Sequence, residues 1–130
     1  MKRKISIDYD ATLSEEEVQE FAIDLVNRGF DVWIVTARFS NEEAKLKNWH
    51  WVERQNKQLF EVADRCGIPH ENIVFTAMKD KIEFLKDKDF IFHLDDSELE
   101  LELIEESDDN CIAVWVDRKD WRKTCEKIIT

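Results

Sequence analysis

Ile5-Ser6-Ile7-Asp8-Tyr9-Asp10-Ala11-Thr12 is the stretch on which the fold turns. A short apolar run with two β-branched residues ends on one carboxylate, and a second carboxylate follows two positions later. A run this short and apolar fits a strand buried on both faces, as in a parallel sheet. Two acidic side chains so close repel each other unless a proton or a cation lies between them. Asp8 and Asp10 therefore read as a charged site at the end of a buried strand.

Working outward, apolar runs rich in β-branched and aromatic residues recur at positions 32–35, 73–75, 90–94 and 112–116. Helical periodicity fills the intervals. Ser14 followed by Glu17 has the form of a capping box, after which Val18, Phe21, Ala22, Leu25 and Val26 make one apolar stripe and Gly29 a stop. Further helices are expected over 51–65, 81–85, 99–105 and 119–128. Strand and helix thus alternate five times. The alternation predicts an α/β fold: a doubly wound, Rossmann-like, mainly parallel five-stranded sheet with right-handed crossovers and helices on both faces.

The 130 residues include only two glycines and one proline, without a low-complexity stretch or repeat, so a single domain over 1–130 is expected. Lys2, Arg3 and Lys4 precede an apolar stretch that Ser6 and Asp8 interrupt at once, which argues against a signal peptide or a membrane span. Cys66, Cys111 and Cys125 have no zinc-like spacing and are odd in number, so a reducing, cytoplasmic setting is the simplest expectation. Nineteen Lys and Arg against thirty Asp and Glu give a net charge of −11, which opposes strong non-specific nucleic-acid binding. A phosphorylated substrate stays compatible with that charge, because one divalent cation and a few aimed donors outweigh a diffuse, screened field.

Ligands of doubly wound folds bind beyond the carboxyl ends of the strands. Those ends are followed by Asp8 and Asp10, by Thr36 and Arg38, by Thr76, Lys79 and Lys81, and by Asp95 and Asp96. Four carboxylates converging on one crevice call for a divalent cation, and an all-oxygen set favours Mg²⁺ over zinc.

Asp8-Tyr9-Asp10-Ala11-Thr12, Thr36, a lysine near position 80 and Asp95-Asp96, in this order, resemble the four motifs of the haloacid dehalogenase-like superfamily. The resemblance spans nearly the whole chain. It implies a Mg²⁺-dependent phosphohydrolase acting through an aspartyl-phosphate intermediate. Asp8 would be the nucleophile, Asp10 the general acid and base, Thr36 a phosphoryl-oxygen donor, and Lys81 or Lys79 the motif lysine, with Lys81 favoured because it opens a helical stretch. Asp8, the Asp10 carbonyl, Asp95 and Asp96 would hold the metal, Asp96 at the more regular ligand position. Ala11 departs from the usual glycine, and the helix expected from Ser14 leaves no room for the usual hairpin flap. Neither interval that hosts a cap domain in the family is long enough here, so a capless enzyme with an open crevice is expected.

Arg38 and Lys79 are the candidates for substrate binding. Arg38, with Phe39, Trp49 and Trp51 nearby, suggests a nucleotide or a nucleic-acid end, although the tryptophans also suit the apolar side of a helix. His50, His70 and His93 are far apart and read as structural. The glutamates from Glu98 to Glu106 read as a solvated helix face, and Trp115, Trp121 and Cys111 as buried or interface residues. Two non-enzymatic alternatives are a receiver-like domain that stores a phosphoryl group and a binding module of the same superfamily. A receiver would place its phosphorylated aspartate after a later strand and its lysine near the chain end, unlike the order seen here.

Overall fold

A computed structural model describes residues 2–130. The apolar runs form strands β1 (Lys4–Ile7), β2 (Asp31–Thr36), β3 (Ile73–Phe75), β4 (Phe90–Asp95) and β5 (Ile112–Trp115). They pair in parallel in the order β3-β2-β1-β4-β5. Between and after them lie helices α1 (Glu16–Asn27), α2 (Asn41–Leu46), α3 (His50–Cys66), α4 (Ile82–Leu85), α5 (Glu98–Glu106) and α6 (Trp121–Ile129).

Side-chain size and periodicity decide which face each helix covers. Ile5, Ile7, Ile34, Phe92 and Leu94 pack with Phe21 and Leu25 of α1, Leu59 of α3 and Cys125 of α6 in the larger core. On the opposite face, Val35 and Phe90 pack with Leu85 of α4 and Ile104 of α5. Right-handed crossovers require this split: the chain runs outward from β1 to β3, returns past β1, and continues outward through β4 and β5, so the helices change face. No helix of the described residues is long and apolar enough to cross a membrane.

Two local expectations change. Helix α2 was not anticipated; it occupies the interval after β2 that reads as a connection, capped by the Ser40 hydroxyl, which accepts from the Glu43 amide at 3.2 Å. The capping box at Ser14 does not form. Ser14 has helical dihedrals (φ −63°, ψ −17°) and closes a wide turn over Tyr9–Leu13, its amide donating to the Tyr9 carbonyl at 2.9 Å. An N-cap needs an extended residue, so Glu15 takes that place and α1 starts at Glu16 without a side-chain cap. The stop at Gly29 forms as expected, with φ 91° and amide bonds from Gly29 to Val26 and from Phe30 to Leu25.

Within the wide turn Ala11 has φ 56°, a left-handed conformation that costs an L-residue roughly 1–2 kcal/mol. Ala11 is exposed, and glycine there would relieve the strain while giving back about 0.5–1 kcal/mol of chain entropy. Ala11→Gly is expected to stabilise the protein by about 0.5–1 kcal/mol, read as a higher urea midpoint at unchanged slope; a lower midpoint would mean that the turn is not held left-handed.

Candidate active site

The strand order reverses between β1 and β4, and their carboxyl ends lie side by side. The Asp8 amide donates to the Leu94 carbonyl at 2.9 Å, which fixes Asp8 beside Asp95. Asp8 is 4% exposed and Asp95 fully buried. Lys81, immediately before α4, reaches between them: its Nζ donates to Asp8 Oδ1 and to Asp95 Oδ2, each at 2.7 Å. The backbone amide of Lys81 donates to Glu100 Oε2 at 3.0 Å, so α5 helps to set the root of the side chain.

Behind this group runs a second layer. His93 is fully buried in β4, and β1 presents Ser6 as its direct partner. Ser6 Oγ lies 2.7 Å from His93 Nδ1, and His93 Nε2 lies 2.7 Å from Asp95 Oδ2. Since the carboxylate accepts, Nε2 carries the proton and Nδ1 accepts a hydrogen bond from the Ser6 hydroxyl. The order resembles a Ser-His-Asp triad, but Ser6 is fully buried between strands and no substrate reaches it. The remaining Asp95 oxygen, Oδ1, accepts from the Ser97 amide at 3.0 Å.

Burial and charge divide the titrating groups. Burial, reinforced by the nearby Asp95 charge and only partly offset by Lys81, pushes the Asp8 carboxyl up to about 8. Burial acts in the same direction on Asp95, yet the hydrogen bond from His93 and the charge of Lys81 outweigh it and hold Asp95 well below the usual carboxylate range. For Lys81, burial is overcome by the Asp8 and Asp95 charges, and its pKa is raised. Burial lowers that of His93, which favours the neutral ring at pH 7.

Carboxylate oxygens of Asp8, Asp95 and Asp96 lie within 4.8 Å of one another. Asp95 is committed to three donors, whereas Asp96 is half-buried and faces the Asp8 carboxyl group, with which it shares a hydrogen bond when Asp8 is protonated. Asp96 and Asp8 are thus the side chains best placed to share a hard cation, and an all-oxygen set suits Mg²⁺.

The remaining candidates divide by position. Thr36 ends β2, fully buried, and its Oγ1 accepts from the Arg38 amide at 3.3 Å. Asp10 is exposed and bound in a fork by Arg38, whose Nε and Nη2 donate to its two oxygens at 3.0 and 2.7 Å. Lys79 is exposed and meets the site only as a rim residue. Asp8, Asp10, Lys79, Lys81, Asp95 and Asp96 all line one cavity of about 360 Å³, joined by exposed Met78 and Leu99. A larger depression of about 790 Å³ along α6 shares no lining residue with it.

No family model, curated protein or solved structure matches the chain.

Several participants escape a linear reading. Thr12 Oγ1 donates to Asp8 Oδ2 at 3.2 Å, and Glu100 holds the Lys81 amide. His93 is structural, as expected, but it also orients Asp95. The signal for it was a polar residue inside each of two apolar runs, Ser6 between Ile5 and Ile7 and His93 between Phe92 and Leu94. His50 and His70 are exposed and pair with Glu53 and Asp64, away from the site.

Removing the Lys81 ammonium leaves the buried Asp95 carboxylate without its counter-charge and the Asp8 carboxyl group without its donor. Lys81→Met is expected to cost about 3–5 kcal/mol at pH 7. Lys79→Met should change stability by no more than about 0.5 kcal/mol. Equal urea midpoints for the two variants would show that Lys81 does not bridge the pair.

The raised pKa of Asp8 also sets a pH dependence. In the metal-free protein, folded Asp8 keeps its proton up to about pH 8, whereas the unfolded chain releases it near pH 4. Its contribution to stability is therefore complete below about pH 4 and is lost as pH rises toward 8, with a slope of at most about 1.4 kcal/mol per pH unit. Urea midpoints in EDTA should fall more steeply between pH 5 and 7.5 in the wild type than in Asp8→Asn. Parallel profiles would exclude a protonated Asp8.

Proposed function

We propose that the chain is a phosphohydrolase of the haloacid dehalogenase type, cleaving phosphate monoesters through an aspartyl phosphate on Asp8. The observation that carries this reading is the Asp8 carboxylate itself. It lines a crevice, fixed by Lys81 at 2.7 Å and Thr12 at 3.2 Å, with a second, exposed carboxylate, Asp10, two residues on.

Each group then has a defined task. An Asp8 oxygen attacks phosphorus, the ester oxygen leaves, and Asp10 supplies the proton that turns it into an alcohol. Water next attacks the phosphoryl group on Asp8 and gives its proton to Asp10, which restores both carboxyl groups and releases inorganic phosphate. Lys81 offsets the negative charge that phosphate and Asp8 bring together, and it is in place before the reaction begins. Thr36, at the neighbouring strand end, is the proposed hydroxyl donor to a phosphoryl oxygen by motif order alone, its side chain being fully buried and outside the cavity lining. A Mg²⁺ ion held by Asp8, Asp96, the Asp10 carbonyl and Asp95 would, when bound, favour the ionised Asp8 and neutralise phosphate charge. Asp95 serves chiefly by holding Lys81.

The substrate is a phosphate monoester reached through an open crevice, with a nucleotide or a nucleic-acid end as the narrower proposal. Arg38 is committed to Asp10, so that narrower reading rests on the aromatics. Phe39 and Trp49 pack edge to face at 5.1 Å, and Trp51 beside them is 51% exposed. Three free, buried cysteines suit a cytoplasmic setting.

Hydrolysis of an aryl phosphate tests the proposal. Turnover should require Mg²⁺ and stop on chelation, vanish in Asp8→Asn, and fall about 10²–10⁴-fold in Asp10→Asn. Stoichiometric labelling of Asp8 without turnover would identify a phosphoryl-storing switch. Absence of any reaction across nucleoside and sugar phosphates would leave only a binding module.

A further inference from the structure

The loop after β2 carries an ion pair that the proposed chemistry does not itself require. Arg38 donates from Nε to Asp10 Oδ2 at 3.0 Å and from Nη2 to Asp10 Oδ1 at 2.7 Å. Its Nη1 donates backward to α3, to the Gln55 carbonyl at 3.0 Å and to Asn56 Oδ1 at 3.3 Å. Four of the five guanidinium N–H groups are thereby used on the protein. The guanidinium also lies 4.8 Å from the centre of the Tyr9 ring.

The anchor behind Arg38 is built. Asn56 is fully buried within α3, where an amide side chain is costly unless its groups are satisfied. Its Nδ2 donates to the Phe39 carbonyl at 3.0 Å and to Asn41 Oδ1 at 2.9 Å, while Oδ1 receives Arg38. One buried residue thus ties α3, the loop after β2 and the guanidinium into a single unit. Asp10, by contrast, has a side chain 60% exposed and, beyond the fork, no side-chain hydrogen bond among the described residues.

We propose that Arg38 is a positioning residue: anchored by Asn56 and Gln55, it holds the Asp10 carboxyl group in one rotamer toward the cavity, and it does not bind the substrate phosphate. The inference rests on the phosphohydrolase reading of Asp10. A planar fork grips both carboxyl oxygens, and a protonated Asp10 still offers its carbonyl oxygen to one arm, so the hold persists in both protonation states. Lysine, a single point charge, cannot grip two oxygens and reach α3 together.

Two variants and one spectroscopic signal test it. Arg38→Met keeps an unbranched apolar stem, and Arg38→Lys keeps the charge; circular dichroism and thermal melting establish that each is folded. With an aryl phosphate and Mg²⁺, both should lose about 10-fold or more in kcat, since small misplacements of a reacting group cost up to about 10²-fold, with KM within about threefold of wild type. A KM raised about 10-fold at unchanged kcat, restored by lysine, would make Arg38 a phosphate ligand and overturn the proposal. Independently of turnover, the ¹⁵N resonance of Arg38 Nε should shift in Asp10→Asn and stay in place when inorganic phosphate and Mg²⁺ are added to the wild type. A signal that ignores Asp10→Asn and follows phosphate sinks this inference alone. Absence of wild-type turnover sinks the phosphohydrolase reading and the positioning role with it, even if the signal shows Arg38 bound to Asp10.

Discussion

One ammonium group between two buried carboxylates is the constraint on which the site depends. Desolvating an ion costs several kcal/mol even after relaxation, and one lysine compensates about one carboxylate. Lys81 therefore leaves the Asp8 and Asp95 pair one charge in excess. The neutral His93 supplies a hydrogen bond but no charge, so the excess is resolved at Asp8, the less fully hydrogen-bonded of the two, which takes up a proton. A proton and a divalent cation answer the same electrostatic need.

The sheet makes this arrangement rigid. Parallel pairing of β1 with β4 sets Ser6 against His93 and places Asp8 next to Leu94, one residue before Asp95. A one-residue slip of β4 would turn His93 and Asp95 to the other face and break both the Ser6 contact and the Lys81 bridge. Buried polar side chains add little net stability, but they penalise every register except one. The layered core on the two faces supplies the stability, and the Ser6–His93–Asp95–Lys81 line specifies where the strand ends stand.

How much of this was legible in sequence depended on how local the signal was. The strands were legible because each is a contiguous apolar run, and Asp8 and Asp95 because each directly follows one. The serine-x-x-glutamate signature shows the limit. It occurs at Ser14, Ser40 and Ser97; the hydroxyls of Ser40 and Ser97 accept from the amides of Glu43 and Glu100, whereas Ser14 is drawn into the turn that follows Asp8. The same four-residue pattern caps a helix only where the preceding chain leaves the serine extended. Arg38 was singled out as a substrate-binding candidate, but its partners, Asp10, Gln55 and Asn56, are 28, 17 and 18 residues away, and only the tertiary structure reveals that four of its donors are spent on the protein. Lys81 and Lys79 were alike in sequence and are separated in space by the start of α4, which buries the first and leaves the second on the rim.

The lining of the cavity finally constrains how a phosphate could enter. Asp8, Asp10, Asp80, Asp95, Asp96 and Glu100 face only Lys79 and Lys81, and Lys81 is already shared by two carboxylates. Protonation of Asp8 and the pairing of Asp10 with Arg38 remove two of those negative charges from play, and the crevice still repels a dianion. The overall charge of −11 adds a long-range field of the same sign, screened beyond about 8–10 Å at physiological salt. Local charge therefore decides the outcome. On the proposed phosphohydrolase reading, a phosphate ester would enter only when positive charge arrives with it or before it, which would couple cation and substrate binding in one site. The same acidic lining works against long polyanions.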